Sequence, residues 1–314
     1  MICVWFGTIR ARGVATAVVE FFRALGDYAF LQYALAAGLL ASVACGVVGS
    51  YVAARRMTYI AGGIAHSVLG GLGAARYLQV TQDWAWLHPL YGAVVAALLS
   101  AVVIGMVSIR WRESEDTAIS AIWAIGMAIG VLFIAQTPGY AEDLMSYLFG
   151  NILMVTPTSL WLIAGLDLLV VSLGLIFYKQ LVAISFDEQF ARLRGVNAEA
   201  FYLLLLCMTA LTVVLLVTVV GLVMVIALLT LPIAIASRFS RSLWQVMGIS
   251  ALIIAVITFI GLGISYDADL PAGATIILLT GAIYLMVMGA TTILERSRHR
   301  RTPPSEASGD QPAA

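Results

Sequence analysis

Apolar residues run along this chain in blocks of about 20, the length a helix needs to cross the hydrocarbon of a bilayer. Short polar or cationic breaks separate the blocks, which fall near 30–54, 58–80, 84–109, 117–135, 157–178, 198–218, 219–237, 243–264 and 271–293. The pattern predicts nine spanning helices. Its thinnest point is 198–237, where Gly221 is the only internal break and both resulting helices are short. A membrane barrel would instead show alternating segments of about 10 residues, and the chain lacks them. Ahead of the first block, Val18, Phe21, Phe22 and Leu25 recur at helical spacing among Arg10, Arg12, Glu20, Arg23 and Asp27. That spacing predicts an interfacial amphipathic helix within residues 1–29. The expected organisation is an all-α polytopic membrane protein: an interfacial segment at 1–29, one transmembrane domain at 30–294, and a polar, Pro/Ser-rich cytoplasmic tail at 295–314, expected to be disordered.

Composition agrees with the pattern. Hydrophobic residues make up 62% of 314 and charged residues 11%, against about 25% charged in soluble domains. The formal net charge is zero, so nothing points to nucleic acid. Cys3, Cys45 and Cys207 are scattered, without a CxxC pair, and read as apolar packing residues. Residues 1–13 lack a sustained apolar core before a small-residue site, so no removable signal peptide is expected.

The cations set the orientation. With nine spans, Arg55 and Arg56, Arg110 and Arg112, then Lys179, Arg192 and Arg194 share one side with Arg238, Arg241 and the arginines at 296–301. That side is the expected cytoplasm. Glu142, Asp143, Asp267 and Asp269 fall on the other side, while Arg76 and the N-terminal arginines run against the trend.

Few residues can carry chemistry. His66 sits among Gly62, Gly63, Gly70 and Gly71 in an apolar segment just after Arg55-Arg56-Met57. An imidazole is costly within a bilayer and is a good transition-metal ligand. It is either a contact on a metal path or a neutral histidine satisfied by a carbonyl or by Ser67. Asp167 lies mid-span, where insertion costs about 2.5–3.5 kcal/mol. It either lines the same path or hydrogen-bonds a neighbouring helix. His88, before Pro89 and near Trp84 and Trp86, reads as an interfacial residue, and His299 as part of the basic tail. The four outer acids either concentrate cations at a mouth, contact a delivery protein, or are solvated loop charges. The dispersed methionines read as core packing.

In the loop 179–197, Ser185-Phe186-Asp187-Glu188 has the form of a capping box with Ser185 as N-cap. Phe186, Phe190 and Leu193 then share one face, and Gly195 can end the helix. Such a helix either covers the bundle end or docks on a soluble partner. Lys179 is the only lysine and Gln180 follows it. A P-loop, which needs GK followed by Ser or Thr, is therefore excluded. HExxH is absent too, and Gly248-Ile249-Ser250-Ala251 is too weak a pattern to suggest a nucleophile.

Taken together, several segments resemble the membrane subunit of ATP-binding-cassette importers for zinc, manganese and iron(II). They are Arg56-Met57 leading into the His66 segment, Glu115-Asp116-Thr117-Ala118-Ile119, and Asp143-Leu144-Met145-Ser146-Tyr147-Leu148-Phe149-Gly150-Asn151-Ile152-Leu153. Ser185-Phe186-Asp187-Glu188, Val220-Gly221-Leu222 leading to Leu231-Pro232, and Ser265-Tyr266-Asp267 with Asp269-Leu270-Pro271-Ala272-Gly273-Ala274-Thr275 complete the set. The resemblance covers most of residues 30–293. It implies a homodimeric pore in a prokaryotic cytoplasmic membrane, with two ATP-binding subunits beneath it and an extracytoplasmic metal-binding protein to deliver the ion. It implies no permanent cofactor and makes the helix at 185–195 a coupling helix, with Ser185, Phe186, Asp187, Glu188, Phe190, Leu193 and Gly195 as its residues. The family commonly reads Gly-Asp-Ala-Leu-Ser-His at this point, whereas here Gly62 stands four residues before His66. Selectivity is therefore not carried over with the resemblance, and Asp167 is the candidate to replace the missing carboxylate. An imidazole retained without that carboxylate leans toward zinc ahead of manganese or iron(II). The alternative is a self-contained secondary carrier, which would place several ionisable groups at midplane.

Overall fold

The structure, a computed structural model, describes residues 14–84, 86–111, 115–137, 150, 152, 155–268 and 270–299. Among these, regular structure is entirely helical. The helices are α1 (Val14–Asp27), α2 (Ala29–Ala54), α3 (Thr58–Thr81), α4 (Pro89–Met106, continued by a π turn at Val107–Trp111) and α5 (Glu115–Gln136). They continue with α6 (Pro157–Ile176), α7 (Tyr178–Phe186), α8 (Glu188–Leu193), α9 (Ala198–Val220), α10 (Leu222–Phe239), α11 (Leu243–Ala268) and α12 (Ala272–His299).

Nine of the described helices match the nine apolar blocks, and eight of them are long and apolar enough to cross a membrane by length and composition. The ninth, α3, is 24 residues long. Its five glycines, His66 and Arg76 dilute its hydropathy. Its burial explains why this is tolerated: every residue from Ile60 to Gly70 is buried, so α3 faces protein and does not need a lipid-soluble surface.

Central α2 packs against α6, α9, α10 and α11, and α3 against α4, α5, α9 and α10. Helices α10, α11 and α12 also pack on one another. Local chemistry sets the breaks. Gly221, at φ 81° and ψ 165°, divides α9 from α10 as the sequence pattern required, in a conformation an L side chain rarely adopts. At the end of α2 the amide of Arg56 donates to Ala53 and that of Met57 to Val52, at 3.0 and 2.9 Å, with Arg56 at φ 61°. This is a Schellman turn with arginine in the position that favours glycine, so α2 passes into α3 through a tight corner.

The expected N-terminal amphipathic helix is present as α1. Phe21 is buried against Phe259, with ring centroids 5.5 Å apart, while Phe22 stays exposed. His88 caps α4, its Nδ1 accepting from the Leu90 amide at 3.3 Å beside the exposed, stacked Trp84 and Trp86. The tail from Arg300 lies outside the described residues, as do the side chains from Leu294 onward.

Candidate functional site

His66 sits on α3 where it meets α5. This seam is closed by glycine: a side chain on Gly126 would come within 2.6 Å of the Ser67 Cα, and one on Gly70 within 2.8 Å of the Gly126 carbonyl. The two backbones therefore touch, as in small-residue packing between membrane helices. One turn earlier the seam holds Trp123. Its ring stacks on the His66 imidazole with centroids 4.3 Å apart, and it lies 2.9 Å from where a side chain on Gly62 would begin. The position four before His66 thus faces an indole ring.

His66 is 7% exposed, and its Nδ1 is buried without a hydrogen-bond partner. Ser67, the candidate partner within the sequence, donates its hydroxyl to Ile64 at 2.7 Å instead. A buried, unspent ring nitrogen costs free energy. With the ring proton on Nε2, this nitrogen would present a lone pair.

Asp167 is also buried, at 6% exposure, but in different surroundings. Its carboxylate lies by the backbone of Ala44 on α2, and Oδ1 has no hydrogen-bond partner. His66 faces α5, and Asp167 faces α2. Among the described residues no group of three or more His, Cys, Asp and Glu side chains is placed to hold a metal ion.

Of the proposed outer mouth, Asp267 is exposed at the end of α11, where Ser265 turns the chain by donating to Leu270 at 2.6 Å. Glu142, Asp143 and Asp269 lie outside the described residues.

The loop 179–197 needs one correction. Ser185 is not an N-cap: it lies in the last turn of α7 and donates to the Leu181 carbonyl at 2.7 Å. The cap is Asp187, in extended conformation, accepting from the Phe190 amide at 2.9 Å. Ser, Asp and Glu all lie within four residues here, and the chain uses the charged cap, since a carboxylate also meets the positive end of the helix. Glu188 is therefore free of the capping-box role and binds Arg55 and Arg192, each at 2.8 Å. Partial burial pushes the Glu188 carboxyl up, but the hydrogen bonds from Arg192 and Arg55 outweigh that and hold it below its ordinary range. The helix ends at Gly195, φ 78°, with the Val196 amide returning to Ala191 at 3.1 Å. Phe186, Phe190 and Leu193 are 69%, 49% and 87% exposed, so the short helix carries an apolar surface outward.

Sequence reasoning missed Trp123 and the reach of Arg55. Trp123 had a faint signal as the one tryptophan in α5, at spacings of three and seven from Gly126 and Gly130. Nothing in the sequence tied Arg55 to a carboxylate 133 residues away.

Known proteins share this architecture. The family model for the ABC 3 transport family matches residues 27–291. A protein of Chlamydia trachomatis named "Probable metal transport system membrane protein" is 39% identical over 86% of this chain and 90% of its own. The manganese transport system membrane protein of Halalkalibacterium halodurans is 31% identical over 85% and 89%. Among solved structures, PsaBC from Streptococcus pneumoniae in complex with Fab has a TM-score of 0.76 at 30% identity, covering 86% of this chain and 95% of that one.

Proposed function

The chain belongs to the ABC 3 transport family, and from that premise we propose that it moves a divalent transition metal inward past His66. It is a multi-pass protein of the prokaryotic cytoplasmic membrane and a permease subunit of the metal-importing branch of this family. Separate ATP-binding subunits drive the movement and an extracytoplasmic binding protein delivers the ion. The observation that carries the reading is the unpartnered Nδ1 of His66, buried in a helix that itself lies inside the bundle.

A neutral imidazole suits zinc, and Gly62 with the Trp123 ring stands on the side where the family commonly has a carboxylate. Zinc is accordingly the proposed cargo, ahead of manganese or iron(II), although several relatives carry the name of manganese. Asp167 is proposed as a second contact on the route and Asp267 as part of the mouth, together with Glu142, Asp143 and Asp269. Two copies forming the pore are part of the same proposal. The exposed Phe186, Phe190 and Leu193, on the side where the cations gather, support docking of the ATP-binding subunit at α8.

The test is reconstitution of the full complex in liposomes, with uptake of zinc, manganese and iron(II) measured with and without ATP. ATP-dependent uptake with zinc fastest is expected. Uptake by the permease alone would overturn the ATP-driven reading, and manganese moving faster than zinc would overturn the choice of cargo.

A further inference from the structure

The cytoplasmic loop and the His66 helix meet at one side chain. Arg55, the residue that closes α2, sends Nη1 to the Ile184 carbonyl at 3.0 Å and Nη2 to Glu188 Oε2 at 2.8 Å. Its guanidinium also sits over the Tyr202 ring, 4.3 Å from the centroid. One group therefore binds the end of α7, the first residue of α8 and a side chain of α9. The Arg55 side chain is only 15% exposed, so the pair is shielded more than an ordinary surface ion pair, which contributes little.

The chain beyond Arg55 gives the arrangement a direction. Arg56 and Met57 form the tight Schellman turn, Met57 is buried, and α3 starts at Thr58. His66 lies two helical turns further on, about 12 Å of rise. No flexible segment intervenes between the Glu188 carboxylate and the first turn of α3. On the other side of Glu188, Phe186, Phe190 and Leu193 present the apolar surface proposed as the ATPase contact. A displacement of α8 therefore reaches the start of the His66 helix through Arg55 before it reaches any other part of α3.

We propose that the Arg55–Glu188 pair is a positioning element that passes the movement of α8 to α3, so that ATP hydrolysis and exposure of His66 stay linked. This rests on α8 being the surface that meets the ATP-binding subunit. Arg192, which takes the other oxygen of Glu188 and approaches Glu199 at 3.7 Å, holds the carboxylate in place and is more exposed.

The test uses the complete complex with its ATP-binding subunits in liposomes, recording metal uptake and ATP hydrolysis together for wild type, Arg55→Gln, Glu188→Gln, the double variant and Arg55→Lys. The metal is whichever of zinc, manganese and iron(II) the wild type moves fastest. Each single neutral substitution is expected to lower the metal moved per ATP by about tenfold, with hydrolysis kept within about twofold. The double variant is expected to be no worse than either single, because the two residues act as one unit. Arg55→Lys, which keeps the charge, recovers part of the loss. Losses that multiply in the double variant would overturn the proposal, as would unchanged uptake. So would uptake and hydrolysis falling together as ATP-binding subunits dissociate, since the pair would then only shape the loop. A wild-type complex that moves no metal would instead count against the permease reading itself.

Discussion

The α3–α5 seam and the cytoplasmic corner are built by opposite rules. In the seam, shape decides: Gly63, Gly70, Gly126 and Gly130 let two backbones touch, and the polar group, Nδ1 of His66, is left over. At the corner, charge decides: Arg55, Glu188 and Arg192 satisfy one another, and the apolar groups, Phe186, Phe190 and Leu193, are left over. In each place the unsatisfied group is of the kind its surroundings disfavour. A bare imidazole nitrogen inside a bundle and bare phenyl rings in water both cost free energy. What would lower that cost is a metal ion in the first case and a protein surface in the second.

The contrast predicts different failures. The largest belongs to the seam. Gly126→Leu places its Cβ against the Ser67 backbone, which cannot swing aside as a flexible side chain would, and overpacking of this kind costs about 3 kcal/mol. We expect the purified permease to aggregate or elute as a broad peak in size-exclusion chromatography. A sharp peak with a wild-type melting temperature would mean that the helices are not in contact there.

A smaller effect is expected at the corner. Phe190→Ser with Leu193→Ser removes exposed side chains whose internal contact is the Arg194 guanidinium 4.9 Å from the Phe190 ring, a surface pair, so the melting temperature should hold. Affinity for the ATP-binding subunit should fall about tenfold to a hundredfold, the range for interface anchors. Unchanged affinity by titration would show that the leftover surface faces something else.

Acid gives a finer contrast. The Glu188 carboxyl is held below its ordinary 4.5 in the folded chain, so its stabilisation is complete above that value. It is lost as pH falls below 4.5 and through the depressed folded value. Hydrogen exchange at α8 should be flat from neutral pH down to the ordinary glutamate range, after correction for intrinsic rates, and then rise. Glu188→Gln should abolish that rise, and a rise already present near about pH 6, well above the ordinary glutamate range, would point to a different group.

The smallest effect is at the cap. Asp187→Ala should cost α8 about 1 kcal/mol, visible as faster exchange of the Phe190 amide. Ser185→Ala should leave that amide unchanged, because Ser185 bonds within α7. The reverse result would restore Ser185 as the cap.

This division also governs what could be read from the sequence. The spans were legible because a helix in lipid must be apolar along its whole length. Even Gly221 could be recognised, since it was the only interruption in 198–237. His66 and Asp167 stood out because charge or imidazole is rare there, but nothing local said that one faces α5 and the other α2. The cap at α8 was read one step wrong because Ser185 and Asp187 both fit the local rule, and tertiary packing chose between them. Trp123 was missed because stacking across two helices leaves only a faint trace in the sequence of either one. Arg55 leaves none, because its partners Ile184, Glu188 and Tyr202 all come from more than about 100 residues later.

The most direct measurement of the central claim is ATP-driven metal uptake by the reconstituted His66→Ala complex, with subunit assembly and ATP hydrolysis recorded on the same sample. The substitution removes the one buried ring nitrogen that has no protein partner among the described residues and leaves the glycine seam intact. Assembly should be unchanged, with uptake reduced by about a hundredfold, the scale for losing a close metal contact. Uptake at the wild-type rate in a fully assembled His66→Ala complex would contradict the account.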